Sequence, residues 1–577
     1  MSKSPLADDA VRGLTDERMR AVVADHWEWT MWWAPQWATT LGDHRYDDRL
    51  APRDAKAIEQ YHRERKALLA KLGAISPLEL GDADHMAWLL LVASLHAAGA
   101  ADAARAHEWW VSSRGGLVDE ISYLVEMHPA GEGASLCARL RDAAGWIDQT
   151  IANLAIGLHY KRVAPKEAVR RAIVQLDGLL DTPTKTWAMS GSARAEHLEI
   201  LAIVDELIAP KLRALRDFLR DRVLPVGRTG AAEGLCGMKG GEHMYRGYVE
   251  AHVGNGMSPD QIHALGLREI ARTDDAIATL GATLFGAPDR AATIARLRED
   301  RALYFSAGAA IVSTAAEALA RAKAAIPRFF GRLPVADCVM REIPAHEAPY
   351  TTIAYYREPH YDGTKPGEYF VNTYKPEVRP RFELEALTYH ESVPGHHLQI
   401  AIAQELTDLP MFRKLGGSTA YIEGWALYTE TLADEMGLYS SDLDRLGMHS
   451  YDAWRASRLV VDTGIHAKGW TRAQAEQFML EHTALTPENI SNEVDRYITD
   501  PGQALAYMVG KLAILELRKL AEDALGSRFD IRAFHDVILR DGALTLPVLS
   551  MRVGTWLRES GGDLSMHVHD HDHDHHH

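Results

Sequence analysis

The chain has 577 residues, of which 47% are hydrophobic and 25% are charged, and its formal net charge at pH 7 is −17. This length and composition are typical of a globular protein with a large core, and the acidic balance argues against nucleic acid or an anionic membrane as partner. The three cysteines form no CxxC pair, which indicates free thiols in a reducing compartment. Because no apolar signal segment is present, we expect a cytoplasmic protein, or a periplasmic or secreted one if a signal peptide has been removed.

Residues 1–225 are predicted to form an N-terminal helical half. Apolar residues recur at three- and four-residue steps through this region, as in AEHLEILAIVDELIAPKLRALRDFLRDRV. Five tryptophans cluster near the N-terminus, and we interpret them as core packing. They are Trp27, Trp29, Trp32, Trp33 and Trp37.

Residues 226–565 are predicted to form a second, catalytic helical half. A glycine-rich connector leads into it and ends at Ser258-Pro259, a pairing typical of a helix start. Strand-forming residues with turn signals lie between 341 and 376, which predicts a small β-element. An exposed edge strand there would pair with a substrate backbone, or the hairpin would only cover the core. The His/Asp-rich segment 566–577 is interpreted as a tag or disordered tail.

The segment YHESVPGHHLQI (389–400) resembles a zinc-binding helix that is interrupted in its middle. A regular helix places His396 or His397 about 9–10.5 Å along the axis from His390, which is too far for a shared metal ion. Proline and glycine at 394 and 395 would allow the chain to loop out and bring one imidazole back. We favour His396 over His397, because a small residue directly before it suits close packing.

A second segment, GSTAYIEGWALYTE, supplies two carboxylates on one helical face, at Glu423 and Glu430. A carboxylate in an apolar stretch needs a partner, and a metal ion is a suitable one. Glu423 is therefore predicted to be the third ligand. Glu430 is predicted to orient a ligand histidine from behind, unless the pair simply faces solvent.

These motifs resemble the gluzincin metallopeptidases, with thimet-oligopeptidase-like and angiotensin-converting-enzyme-like members. They also resemble the bacterial domain-of-unknown-function 885 family, through HESVPGHHLQ, YIEGWALYTE, RLVVDTGIHAKGWT and PGQALAYMVGK. The first resemblance implies a mainly α, all-helical fold with two helical halves around a deep cleft and the β-element before the HE helix. It also implies that Tyr507 hydrogen-bonds the tetrahedral intermediate.

Three further residues have two possible roles each. Arg458, Asp462 and His466 share a helix face, which indicates either a substrate clamp or an internal salt bridge capped by histidine. In the clamp, Arg458 would bind a terminal carboxylate and His466 would be a second oxyanion donor. Lys511 would either bind substrate or support the site.

The sequence therefore predicts a zinc-dependent hydrolase of peptide bonds with one Zn²⁺ per chain, acting on short peptides as an oligopeptidase or carboxypeptidase. Glu391, beside the first ligand, would be its general base. The alternatives are a metal-dependent amidase or esterase of a non-peptide small molecule and a non-catalytic metal-binding protein. Nothing in the sequence fixes the oligomeric state.

Overall fold

A computed structural model describes residues 2–128, 131–182, 195–345 and 348–565. Within these ranges the protein is mainly helical, and this confirms the predicted all-α class. The predicted tail at 566–577 lies outside the described residues.

The chain is divided into two compact units. Unit 1 comprises Met1–Ala251, Gly464–Arg472 and Glu493–Pro501. Unit 2 comprises His252–Thr463, Ala473–Asn492 and Gly502–His577. The predicted division at 225 lies inside unit 1, which also takes up two later segments, so that sequence order alone does not define the units.

The α-helices are numbered here in chain order. The first twelve are α1 Ala7–Ala10, α2 Glu17–Trp33, α3 Pro35–Thr40, α4 Ala55–Gly73, α5 Asp82–Ala97, α6 Ala100–Ala103, α7 Leu117–Met127, α8 Gly133–His159, α9 Lys166–Asp181, α10 His197–Ile203, α11 Ala209–Phe218 and α12 Gly241–His252. The others are α13 Pro259–Phe285, α14 Arg290–Glu299, α15 Gly308–Ala325, α16 Leu384–Glu391, α17 His396–Glu405, α18 Met411–Lys414, α19 Thr419–Glu435, α20 Asp442–Lys468, α21 Arg472–His482, α22 Pro487–Thr499, α23 Ala506–Leu525, α24 Ile531–Leu539 and α25 Leu546–Glu559.

Unit 1 contains an apolar core to which α7, α8, α9, α10 and α11 contribute. Of the clustered tryptophans, Trp27 is buried as predicted, whereas Trp32 is 37% exposed. Among the described residues, the stretch Asp82–Glu108 is long and apolar enough to cross a membrane by length and composition alone. Its helix α5 buries Leu91 and Leu95, as a core helix does.

Unit 2 contains a three-stranded sheet that precedes α16 in the chain. Its strands are β1 Cys338–Glu342, β2 Ala354–Arg357 and β3 Gly367–Val371. The central strand β3 pairs in parallel with β1 and antiparallel with β2, so that β2 is an edge strand. The predicted β-element is confirmed, and it begins at Cys338. Ser258 caps α13 with a reciprocal bond pair to Gln261, which confirms the predicted helix start.

Two glycines allow α19 and α23 to approach closely. A Cβ atom on Gly424 would lie 2.5 Å from Gly510 Cα, and one on Gly510 would lie 1.9 Å from the carbonyl oxygen of Ala420. No larger residue fits at either position without moving a backbone. The crossing places the helix that carries Glu423 directly against the helix that carries Tyr507.

Candidate metal centre

The predicted break in the HE helix is confirmed. Helix α16 ends at Glu391 and α17 begins at His396. Between them the Gly395 N–H donates to the Tyr389 carbonyl at 3.0 Å. The buried indole N–H of Trp425 donates to the Pro394 carbonyl, also at 3.0 Å. These bonds fix the turn, because they satisfy backbone groups that the broken helix leaves without intrahelical partners.

Glycine at 395 is required by the closeness of the turn to the preceding helix. A Cβ atom there would lie 1.9 Å from the His390 carbonyl oxygen and 2.4 Å from the Tyr389 carbonyl oxygen. The chain therefore folds back tightly enough for His396 to approach His390, which a straight helix forbids.

Three side chains from α16, α17 and α19 converge at this turn. The nitrogen and oxygen atoms that His390, His396 and Glu423 offer all lie within 4.8 Å of one another. Glu423 Oε2 lies 3.2 Å from His396 Nε2 and 3.6 Å from His390 Nε2. The imidazole rings stand nearly perpendicular, with centroids 4.7 Å apart. The structure thus groups His396, rather than His397, with His390 and Glu423.

The donor set fits a tetrahedral metal ion. Ligand atoms about 2.0–2.2 Å from zinc at tetrahedral positions are roughly 3.3–3.6 Å from one another, close to the observed separations. Two buried atoms support this fit: Glu423 Oε2 and His396 Nδ1 accept or donate no well-aligned hydrogen bond among the described residues. Two imidazoles and one carboxylate also leave a fourth position free, which is the arrangement of catalytic zinc sites.

Glu430 lies behind His390, as predicted. Its Oε2 accepts a hydrogen bond from His390 Nδ1 at 2.8 Å, which directs Nε2 towards Glu423. The other oxygen accepts from Arg455 Nη1 at 3.3 Å. Both Glu430 and Arg455 are buried, and Tyr439 donates its hydroxyl to the Glu430 carbonyl at 2.6 Å. A carboxylate that binds the distal nitrogen of a ligand histidine fixes its tautomer and orientation.

The electrostatics of the cluster favour a cation between the imidazoles and Glu423. Burial acts to lower the pKa of His390, but Glu423 and Glu430 outweigh it and raise the pKa to about 10. Burial acts to raise the pKa of Glu423, but His396 and His390 hold it well below its usual range. The cluster therefore holds positive charge strongly, either as a proton or as a metal ion.

Glu391, the last residue of α16, lies beside this cluster. Burial raises the pKa of its carboxyl, against the opposing effect of His390 and His396. A carboxylate with a raised pKa is a stronger base at neutral pH. This is the property that a proton acceptor next to a metal ligand requires.

His397 points away from the cluster. Its Nδ1 accepts a hydrogen bond from the Tyr356 hydroxyl at 2.7 Å, and its Nε2 donates to the Ala336 carbonyl at 2.9 Å. Burial lowers its pKa to about 4, so that the ring is neutral at pH 7. His397 thus joins α17 to β2 and to the segment before β1.

Arg458 and Tyr507 lie together in unit 2. The buried guanidinium of Arg458 is 4.7 Å from the ring of Trp454 and 4.5 Å from the ring of Tyr507. Tyr507 itself is only partly buried. Lys511, one turn further along α23, is buried and pairs with Asp452 at 2.7 Å. That ion pair favours the supporting role for Lys511 over substrate binding.

His466 and Asp462 make backbone contacts. In unit 1, the Leu235 N–H donates to His466 Nδ1 at 3.0 Å, while His466 Nε2 donates to the Tyr497 carbonyl at 2.8 Å. Burial lowers the pKa of His466 to about 4. Since both ring nitrogens are engaged, the structural role is favoured over oxyanion donation. In unit 2, Asp462 accepts from the Gly502 N–H at 3.2 Å.

Sequence reasoning missed Arg455 and Trp425. Arg455 lies one turn before Arg458 on α20, and the need of a buried Glu430 for a cationic partner was the only available signal. Trp425 stands two residues after Glu423, where its indole reads as core packing. Only the folded backbone shows that its N–H bonds to Pro394.

Comparison with protein families found one match, described as "Bacterial protein of unknown function (DUF885)", over residues 35–553. Comparison with curated proteins found no match. A crystal structure described as "the putative lipoprotein from Colwellia psychrerythraea" is 26% identical, with a TM-score of 0.84, and the alignment covers 94% of this chain and 99% of that one.

A structure described as "a putative lipoprotein of unknown function from Shewanella oneidensis" is 20% identical, with a TM-score of 0.74. That alignment covers 93% of this chain and 98% of the other. At this identity the likeness shows a shared fold, and it carries no information about chemistry.

Proposed function

The chain belongs to the DUF885 family of bacterial proteins of unknown function, and from its His390–His396–Glu423 cluster we propose that it is a zinc-dependent hydrolase of peptide bonds. One observation carries this proposal: three ligand atoms converge within 4.8 Å beside the basic carboxylate of Glu391. Short peptides are the proposed substrates, and the protein acts as an oligopeptidase or carboxypeptidase. The gluzincin-like character of the fold belongs to the same proposal.

One Zn²⁺ per chain would be held by His390, His396 and Glu423. When bound, zinc supplies Lewis-acid chemistry and makes a water molecule more acidic. Two imidazoles and a carboxylate suit zinc, although the affinity order of divalent ions gives the donor set some tolerance for other metals.

The protein residues have distinct roles in the proposed reaction. Glu391 accepts the proton of the attacking water and later delivers it to the leaving nitrogen. Tyr507 donates its hydroxyl to the oxyanion that forms on the substrate carbonyl. Glu430 keeps the His390 ring in the orientation that directs Nε2 towards Glu423. Arg458, packed on the Tyr507 ring, holds that aromatic side chain in place.

The edge strand β2 supports a peptide substrate. Its partner β3 lies on one side only, so the other edge offers backbone groups that an extended peptide pairs with. Tyr356 on this strand bonds to His397, the residue after a proposed ligand. The strand is therefore tied directly to the helix that carries His396.

The alternative is a metal-dependent amidase or esterase of a non-peptide small molecule, which would use the same groups. A non-catalytic metal-binding protein is disfavoured by Glu391, because a binding site alone requires no base with a raised pKa. Nucleic acid and membrane surfaces remain excluded from the proposed partners on the ground of net charge alone.

The proposed location is extracytoplasmic. Two solved structures that cover nearly all of this chain are described as those of lipoproteins, with the qualifications quoted above. This proposal replaces the cytoplasmic expectation, which nothing in the comparisons supports. Fractionation of the native host with an antibody to this protein would test it, and recovery in the cytosol would overturn it.

The metal is tested by elemental analysis of protein that ends at residue 565, because the histidine-rich tail binds metal by itself. Wild type should contain about one zinc per chain, and Glu423→Ala should lose it. The matched control is Glu435→Ala on the same helix, whose half-exposed carboxylate pairs with Arg518. Equal zinc content in the wild type and Glu423→Ala would remove the basis of the proposal.

The reaction is tested with short peptides that carry free or blocked termini, together with simple esters and aryl amides. Cleavage only of peptides with a free carboxyl terminus would identify a carboxypeptidase, and cleavage of doubly blocked peptides would identify an endopeptidase. Hydrolysis of esters or amides without any peptide cleavage would select the alternative function. A zinc-loaded protein that cleaves none of them would overturn the assignment to hydrolases.

A further inference from the structure

Unit 1 contains a cavity of about 390 Å³, and no residue of the metal centre lines it. Protein interiors are close-packed, and their ordinary voids are about the size of one water molecule. Small-molecule sites typically measure roughly 300–1,000 Å³, and an engineered apolar cavity of about 150 Å³ already binds benzene. A space of this size is therefore a candidate ligand site.

The walls of the cavity are mainly aliphatic. Residues from α7, α8, α9 and α11 that belong to the core of unit 1 also line this space. Those used here are Val118, Leu154, Ala172, Leu176 and Leu215. Trp110 is the one aromatic residue among the described lining residues. Such walls favour a flexible aliphatic ligand over a flat ring system, which aromatic faces would hold by stacking.

A neutral ion pair marks the polar edge of the cavity. Arg53 donates from Nη1 to Glu120 Oε1 at 2.9 Å, and the two side chains are 37% and 33% exposed. The Arg53 guanidinium also stacks over the Trp146 ring, 3.6 Å from its centroid. Since the two charges cancel at a partly exposed position, this edge presents no surplus charge to a ligand.

Most other polar groups of the wall already have partners. Asn153 Nδ2 donates to the Arg53 carbonyl at 2.9 Å, and the Thr150 hydroxyl donates to the Trp146 carbonyl at 2.8 Å. His107 differs from them, since its ring makes no hydrogen bond to any residue in the part of the chain that the structure describes. Burial lowers the pKa of His107, so the ring is neutral at pH 7 and can both donate and accept a hydrogen bond.

From these walls we infer that unit 1 binds a molecule with one aliphatic chain and an uncharged polar head, of the fatty-alcohol or fatty-ester class. The chain would occupy the space between α7, α8 and α9, and the head would lie at the Arg53–Glu120 edge within reach of the neutral His107. This activity is independent of the proposed hydrolysis, because none of its residues belongs to the metal centre.

The test uses the full chain and two probes, 1-decanol and decanoate, each below its aggregation concentration, in isothermal titration calorimetry. 1-Decanol should bind saturably at about one molecule per chain, and more tightly than decanoate. Ala172→Phe places a phenyl ring in the cavity and should weaken 1-decanol binding by about tenfold or more. Val174→Phe is the matched control, since Val174 lies on the same helix but is 71% exposed; its affinity should equal that of wild type.

If Ala172→Phe does not fold by circular dichroism, Thr150→Phe fills the cavity from α8 and the same loss is expected. Chelation of metal by EDTA should leave 1-decanol affinity unchanged, which separates this site from the proposed metal centre. Absence of saturable 1-decanol binding would overturn the inference, as would equal affinities in the filled and control variants. Tighter binding of decanoate would overturn the uncharged head group.

Discussion

Substitution of Gly395 by alanine is expected to damage the protein at one defined point. Its backbone has φ near −77°, which any residue adopts, so the cost is purely steric. The added methyl carbon would lie 1.9 Å from the carbonyl oxygen of His390 and 2.4 Å from that of Tyr389. Both are backbone atoms of α16 and cannot rotate away. The turn must therefore open, and His396 must move with it.

The size of the effect follows from this contact. Overpacking in a well-ordered interior typically costs about 1–3 kcal/mol, and a clash with backbone belongs at the upper end of that range. Thermal unfolding of metal-free Gly395→Ala should show a clear fall in melting temperature. Gly554→Ala is the control, because Gly554 lies inside α25 and its Cβ would meet only Arg558 Nη1, at 3.5 Å. There alanine should be neutral or should stabilise the helix by up to about 1 kcal/mol.

Zinc content provides the second measurement on Gly395→Ala. If the turn brings His396 to His390, opening it must lower the affinity for zinc as well as the stability. The reasoning is refuted if Gly395→Ala has the melting temperature and zinc affinity of wild type. A fall in stability with unchanged zinc affinity would show that the turn is structural and does not position the proposed ligand.

Three more predictions concern single side chains. Glu391→Gln should keep the fold and the zinc but reduce turnover by about 10²–10⁴-fold, and near-wild-type turnover would exclude Glu391 as the base. Arg455→Met, which removes a partner of Glu430, should weaken zinc binding by about tenfold, whereas Arg445→Met on the same helix should not; equal affinities in both variants would exclude positioning. Burial lowers the pKa of His535 to about 3, so the unfolded chain protonates it first and its contribution to stability is lost as pH falls from 6.5 towards 3. In EDTA, the dependence of unfolding free energy on pH over that range should be smaller by up to one proton in His535→Gln, and an unchanged dependence would contradict this assignment.

Much of the fold follows from local sequence rules. Apolar periodicity predicts the long helices, and Ser258 with Pro259 predicts the start of α13, because capping depends only on neighbouring residues. The strands are predicted by β-branched and aromatic residues between turn signals. The two units were not predictable in this way. Unit 1 takes up Gly464–Arg472 and Glu493–Pro501, and such pairing of distant segments depends on tertiary packing.

The centre was predictable where steric rules leave few choices. A straight helix cannot bring two histidines six residues apart to one ion, so the proline and glycine required a turn, and the turn is present. The role of His466 was less predictable. Helical spacing places it on one face with Arg458, but spacing cannot show that the Leu235 N–H and the Tyr497 carbonyl occupy its two nitrogens.

The two proposed histidine ligands are held in different ways, and this difference has a consequence for metal binding. His390 is fixed through Nδ1 by Glu430, which is itself held by Arg455. The Nδ1 of His396 is buried and bonds to no atom of the described residues, so the turn at Gly395 is what positions this ring. One ligand therefore depends on a chain of buried polar contacts and the other on backbone sterics. Substitutions in the two supports should lower zinc affinity additively as long as the supports act independently.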